Sequence, residues 1–394
     1  FSVPGLGQHF VNAVLNKDLF MIIGVVLVFS TMLVLFNLAV DVLYRWVADE
    51  TLYPDLAGMV TTLHGMGFKF LSYANPFVLD SQLHFAPMRD MHLLVTQTDG
   101  SPYLVAGLNG MFAHPDFTKP EARDYVAGFL RDSVTTYGID GWMADYGEWL
   151  PADGHLADGS DPIAAHQLYP TAWHDVERSA LDAARPSGDY VVFSRSGWTG
   201  EQGHAQIVWI GDQQADWSAT DGLPTVVPAM LNLGLAGVPY VTHDIAGYSG
   251  GPSSKELYER WTELGAFTPV MRAHEGLNRN DNWAWDKDAE TTAHFRRFAR
   301  IHAALAPLFM TLAQEAHDSS LPILRPLALV APDDPGSRNV SDEFCIGDDL
   351  LVAPVVTQGA TSRAVVLPPG DWVHVWTGTH YSGPGTVTVD APIG

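Results

Sequence analysis

Cysteine is almost absent. Cys345 alone excludes an internal disulfide, so the fold rests on packing and needs no oxidising compartment, which favours the cytoplasm. Flanked by Phe344 and Ile346, this thiol reads as a buried structural group and not as a nucleophile. Positive charge is scarce too: 21 Lys and Arg face 45 Asp and Glu, a net charge of −24. Nucleic-acid phosphates would be repelled, which excludes that partner, and anionic lipid gains nothing. Histidine pairs at close metal-ligand spacing are missing, so no metal and no cofactor is expected. Internal repeats and low-complexity tracts are also lacking. What remains is a chain of 394 residues with 47% hydrophobic content, enough for one large α/β domain and a smaller one.

Charge is missing altogether from Leu19 to Val40. At ~1.5 Å per residue this apolar run is long enough to cross a hydrocarbon core of ~30 Å. It is apolar on every side, unlike an amphipathic core helix, and too long for a secretory signal. Residues 1–47 balance Lys17 and Arg45 against Asp18 and Asp41, so the whole acidic excess lies downstream. The stretch Phe1-Ser2-Val3-Pro4-Gly5-Leu6-Gly7, with the apolar run ending in Asp41-Val42-Leu43-Tyr44, resembles the C-terminal end of a peptide-type ABC transporter permease. The resemblance implies a single transmembrane-like helix at 19–40 and membrane association through it alone. A fragment of a transport permease is accordingly one rival reading of the chain. The start at Phe1 and the stop at Gly394 both read as cut ends, so the chain is taken as a fragment.

After residue 49 strands and helices alternate. Strands are predicted at 68–74, 110–114, 141–144, 190–194, 206–210, 239–243 and 268–272. Helices are predicted at 54–63, 120–137, 161–184, 223–235, 253–264 and 288–312, with Pro120 and Pro224 in first turns. Such alternation means a parallel sheet with right-handed crossovers. Seven strands fall one short of a (β/α)8 barrel, so a TIM-type barrel lacking its first strand is expected over 49–315. Beyond it, short strands at 323–330, 342–346, 350–355, 364–367 and 372–376, with a turn at Pro368-Pro369-Gly370, predict a small antiparallel β domain over 316–394.

Reacting groups in such barrels sit at the C-terminal ends of strands. Here those ends carry Asp145, Arg195, Asp212, His243-Asp244 and His274-Glu275. One acid past a strand is as easily a helix cap; several converging on one face point to chemistry. Two strand-end carboxylates, Asp145 and Asp212, are the equipment for glycoside cleavage. A retaining mechanism takes one ionised carboxylate as nucleophile and one protonated carboxyl as acid, ~5–5.5 Å apart. The rival reading of these residues is a metal-dependent hydrolase built on His243, Asp244, His274 and Glu275.

The run Asp140-Gly141-Trp142-Met143-Ala144-Asp145-Tyr146-Gly147-Glu148-Trp149-Leu150-Pro151 resembles the nucleophile motif of glycoside hydrolase family 31, most closely in its sulfoquinovosidase branch. Ser194-Arg195-Ser196-Gly197, Trp209-Ile210-Gly211-Asp212-Gln213, His243-Asp244-Ile245-Ala246-Gly247-Tyr248 and Met271-Arg272-Ala273-His274-Glu275-Gly276 follow in that family's order, and the resemblance covers 49–394. It implies a retaining α-glycosidase acting on a small-molecule glycoside, with Asp145 as nucleophile and Asp212 as acid/base. Arg195, Asp244, Tyr248 and His274 are then substrate-binding residues, with Arg195 holding Asp145 ionised. Glu148 orders the loop after the nucleophile. Tyr248 stands where glucosidases of the family carry phenylalanine, and its hydroxyl is implied in sulfonate binding. The rest of the implied sulfonate clamp, an arginine and a tryptophan, belongs after the first barrel strand. Arg45-Trp46 is not assigned to it, because it lies in the permease-like segment. An α-glucosidase of other specificity is the alternative within the family.

With the first strand and part of the pocket absent, the 394-residue chain by itself is expected to hydrolyse aryl α-glycosides poorly. Robust turnover by the purified chain would contradict that expectation.

Overall fold

The computed structural model describes residues 53–107 and 110–394. The apolar segment 19–40, with its permease resemblance, and Arg45-Trp46 lie outside the described residues. Among the described residues no helix is long and apolar enough to cross a membrane. The chain divides into two compact units, Phe1–Ala205 and Gln206–Gly394.

The first unit runs α1 (Leu56–Gly65), β1 (Ser72–Ala74), β2 (Val78–Leu79), α2 (Phe85–Asp90), β3 (Val105–Gly107), β4 (Gly110–Ala113), α3 (Pro120–Tyr137), β5 (Gly141–Ala144), α4 (Pro162–Ala184) and β6 (Val191–Ser194). The Asp55 carboxylate caps α1 by accepting the Gly58 N–H at 2.9 Å. Pro120 opens α3 where its missing N–H costs nothing, and left-handed Gly138 closes it. Ala122, Val126, Leu130 and Val134 repeat at helical spacing and bury one face of α3. They share a core with Tyr169, Trp173, Val176, Ala180 and Leu181 of α4 and with Trp142 of β5.

The central strand of this unit is β5, parallel to β1 on one side and β6 on the other. Ala74, Ala144 and Ser194 lie in one row of that register. The next residues, Asn75, Asp145 and Arg195, therefore leave three adjacent strand ends at the same level. Sequence spacing becomes a spatial cluster through that alignment.

The strand expected at 110–114 does form, but not as a parallel strand. Among the described residues β4 pairs antiparallel with β2 and β3. A four-residue apolar run fits a hairpin or a buried parallel strand equally well, and periodicity cannot separate them.

The second unit runs β7 (Ile207–Trp209), α5 (Val226–Leu235), β8 (Val241–Thr242), β9 (Asp244–Ile245), α6 (Lys255–Gly265), β10 (Arg272–Ala273), α7 (Ala289–Ser319), β11 (Leu324–Arg325), α8 (Leu327–Val330), β12 (Phe344–Ile346), β13 (Leu350–Val352), β14 (Ser362–Val373) and β15 (His380–Asp390). β7 is parallel to β8, and β9 to β10. Trp261 is fully buried in one core with Val227, Met230 and Phe344, and Trp209 is fully buried as well. Each buried indole removes on the order of 150–250 Å² from water.

Three β11–β13 strands and a β14–β15 hairpin follow, all antiparallel. Two expectations change here. The predicted strand at 323–330 becomes helical from Leu327, after Pro326 has removed an N–H and set a helix start. The predicted turn at Pro368-Pro369-Gly370 is a register shift inside the single strand β14, a bulge that keeps both halves paired with β15. Cys345 is buried in β12, and burial pushes its thiol up to about 12.

Gly141 opens β5 at φ 137°, and a Cβ there would lie 1.8 Å from the Val191 carbonyl oxygen. Neither neighbour can yield without breaking the β5–β6 pairing. Gly141→Ala is expected to cost about 3 kcal/mol or more, read as a lower denaturation midpoint. An unchanged midpoint would contradict the register described.

Candidate active site

Asp145 leaves β5 buried, only 7% exposed. Its own N–H is held by the Ala74 carbonyl at 2.8 Å. Three donors surround its carboxylate. Oδ1 accepts the Tyr146 N–H at 2.9 Å and faces Arg195 Nη1 at 3.1 Å. Oδ2 accepts the Tyr73 hydroxyl at 2.5 Å. Arg195 also donates through Nε and Nη2 to Glu148 Oε1, at 3.1 and 2.6 Å. One guanidinium thus spans two carboxylates, and its flat face rests 4.1 Å from the centre of the Tyr146 ring.

The loop that makes this possible is strained. Tyr146 takes φ 63°, uncommon for an aromatic residue and costing on the order of 1–3 kcal/mol. The Ser196 hydroxyl donates to the Tyr146 carbonyl and holds it there. Gly147 follows at φ 106°, a conformation that favours glycine, and a Cβ would stand tightly at 3.0 Å from Ser196 Oγ and 3.1 Å from Pro170 Cα. Beside the loop a cavity of about 360 Å³ opens, lined by Glu148, Arg195, Ser196 and His166 among others. That is within the range of small-molecule sites.

Burial is the largest influence on Asp145 and raises its pKa above the usual aspartate range. Arg195, the Tyr73 hydroxyl and the Tyr146 N–H oppose it, and Glu148 adds to the rise. Arg195 was expected to hold this carboxylate ionised. Its charge does act in that direction, but burial outweighs it.

In the second unit Asp212 follows Ile210 and Gly211 after β7 and is exposed. The Ser249 hydroxyl donates to its carbonyl at 2.8 Å. The N–H groups of Tyr248 and Ser249 both reach the Gln213 carbonyl, at 2.8 and 3.0 Å. The loop carrying Asp212 is thereby tied to the loop carrying Tyr248. Asp244, 1% exposed, forms an ion pair with Arg272, its register partner in β10. Arg272 in turn lies 5.5 Å from the Trp209 ring centre. Trp209 itself is a core residue.

The rings of Tyr248 and His274 meet edge to face at 5.1 Å. Burial lowers the His274 pKa to about 4, with Asp244 raising it and Arg272 lowering it further. The Gly276 N–H donates to His274 Nδ1 at 2.9 Å, so the neutral ring carries its proton on Nε2. A neutral Nε2–H is a donor suited to an oxygen acceptor. His243 is held the same way: Trp261 Nε1 donates to its Nδ1 at 2.9 Å. Among the described residues no three His, Cys, Asp or Glu side chains gather as a metal would need.

The structure thus brings Asp145 to Arg195, and groups Asp244, Tyr248 and His274, with Asp212 on a loop bonded to that of Tyr248. Tyr73, Ser196 and Arg272 were not singled out from sequence. Tyr73 and Arg272 each lie beside a named residue through strand register, which single-strand patterns do not reveal.

Residues 35–312 match the model for the Glycosyl hydrolases family 31 TIM-barrel domain, and residues 320–394 that for the Glycosyl hydrolase family 31 C-terminal domain. The first match begins inside the apolar run and includes Arg45-Trp46. The sulfoquinovosidase of Agrobacterium fabrum (strain C58) is 39% identical over 356 residues, 89% of this chain and 54% of that protein. The sulfoquinovosidase of Escherichia coli (strain K12) is 37% identical over 356 residues, 90% of this chain and 52% of that protein. Among solved structures, a family 31 sulfoquinovosidase from E. rectale in complex with an aza-sugar inhibitor aligns with TM-score 0.85 at 34% identity, over 89% of this chain and 53% of that one. The chain spans about half the length of the curated relatives it matches.

His274 is expected to stay neutral through the physiological range, its ring proton resonances moving only near pH 4. Asp244→Asn removes the group that raises it and should push the midpoint lower still. A midpoint above 6 in a proton NMR titration would refute the environment described.

Proposed function

Because this chain belongs to glycoside hydrolase family 31, we propose that it is the catalytic part of a retaining α-glycosidase whose substrates are sulfoquinovosides. The barrel and the β domain are assigned to 49–315 and 316–394, and the location to the cytoplasm. One observation carries the reading: a buried aspartate at a strand end, held by a guanidinium, a hydroxyl and a backbone N–H, in a strained loop beside a cavity. A carboxylate so fixed loses no orientation on attack.

Asp145 attacks the anomeric carbon while Asp212 gives its proton to the leaving oxygen. Water then cleaves the glycosyl-enzyme, with Asp212 taking the water's proton. Exposure of Asp212 suits a group that meets solvent in the second step. Arg195 keeps the attacking carboxylate in place, and Asp244 and His274 bind sugar hydroxyls. The Nε2–H of His274 is a neutral donor for those hydroxyls, and the Tyr248 hydroxyl is assigned to the sulfonate. The two sulfoquinovosidases at 39% and 37% identity support that choice of sugar.

In the whole protein, Asp145→Asn is expected to lower kcat by roughly a thousandfold or more with the fold retained. Near-normal turnover would sink the nucleophile assignment. An aryl α-sulfoquinovoside should outpace the aryl α-glucoside by roughly 100-fold or more in kcat/KM; the reverse order would leave a glucosidase.

The pH profile carries a third expectation. Attack needs Asp145 ionised, and its pKa lies above the usual aspartate range. The acid limb of the profile should therefore fall as pH drops through that raised pKa. An acid limb at the ordinary aspartate value of ~4 would contradict the burial assigned to this group.

A further inference from the structure

Register between β1 and β5 matches Tyr73 with Met143 and Ala74 with Ala144. Side chains alternate between faces along a strand, so Met143 and Asp145 share a face, and Tyr73 on the neighbouring strand shares it too. From there the half-buried Tyr73 ring delivers its hydroxyl to Asp145 Oδ2 at 2.5 Å. Oδ1 meanwhile has both the Tyr146 N–H and Arg195 Nη1. A carboxylate has about two acceptor directions on each oxygen. Those of Oδ1 are taken, whereas Oδ2 uses one for Tyr73 and keeps the other.

We infer that Oδ2 is the attacking oxygen, and that Tyr73 is a catalytic residue which lets Oδ2 leave in the second step. The inference rests on the reading of Asp145 as nucleophile. In the first step an Oδ2 lone pair forms the bond to the anomeric carbon. The glycosidic C–O bond breaks with its electron pair on the leaving oxygen, which takes the Asp212 proton. Oδ2 is now an ester oxygen, a poor acceptor, so the Tyr73 hydrogen bond weakens. In the second step a water oxygen bonds to the anomeric carbon and passes a proton to Asp212. The bond to Oδ2 breaks, its electron pair returns to Oδ2, and the Tyr73 hydroxyl meets the charge as it forms.

Tyr73 therefore stabilises the free carboxylate more than either transition state, and each transition state more than the ester. It slows attack slightly and speeds release. Few structural roles would split the two steps in opposite directions.

The test compares Tyr73→Phe with the parent in the whole protein, on an activated aryl α-glycoside, at a pH on the plateau of each profile. Losing one hydrogen bond to a charged oxygen should lower kcat about 10- to 100-fold. It should leave kcat/KM, which reports the first step, unchanged or higher. A burst of aryl alcohol close to the enzyme concentration should precede the slow phase. If kcat/KM falls in step with kcat and no burst forms, or if kcat does not change, the inference is overturned while the nucleophile reading stands. An Asp145→Asn protein that keeps its turnover, or a parent with none, overturns that reading and the inference with it.

Discussion

Arg195 stands between Asp145 and Glu148, and the arrangement around Asp145 depends on that bridge. Without it the buried Asp145 carboxylate would lose the cation that opposes the effect of burial. The guanidinium can hold this position because it rests on Tyr146, whose backbone is forced into a left-handed turn and pinned by Ser196. That turn needs Gly147 behind it, since a larger residue would meet Ser196 and Pro170. Strain, stacking and charge are thus parts of one arrangement around a single carboxylate.

The second unit solves a related problem in another way. Asp244 and Arg272 pair across two parallel strands, so the buried acid has a counter-charge. His274 stays neutral beside them, and a backbone N–H decides which ring nitrogen carries its proton. Tyr248 packs on that ring, and its loop is bonded to the one bearing Asp212. The His274 ring therefore keeps its charge state unchanged near neutral pH.

Much of this was legible in the sequence, because strand ends and motif order are local signals. The helix 120–137 and the strand 141–144 lie where helical spacing and an apolar run placed them. Asp145 and Arg195 each follow their strand by one residue, and the family resemblance implied their pairing before the structure. Tyr73 could not be paired so: it is reached from Asp145 only through the register of two strands that lie far apart in the chain. Strand 110–114 kept its position but not its partners, since four apolar residues carry no direction. At Pro326 and at Pro368-Pro369, proline was a true marker of irregularity, yet it did not say whether the chain would coil, turn or bulge. The balance at Asp145 was likewise out of reach, since burial is a property of the folded surroundings and not of the motif.

The central claim is that Asp145 bonds to the sugar during turnover. Its most direct test is to trap the intermediate in the whole protein with a fluorinated glycosyl donor that loads faster than it hydrolyses, then digest the protein and map the added mass. The account predicts a gain of one glycosyl unit on the peptide containing Asp145, displaced by a competing substrate. A label on another carboxylate, or none while hydrolysis proceeds, would contradict it.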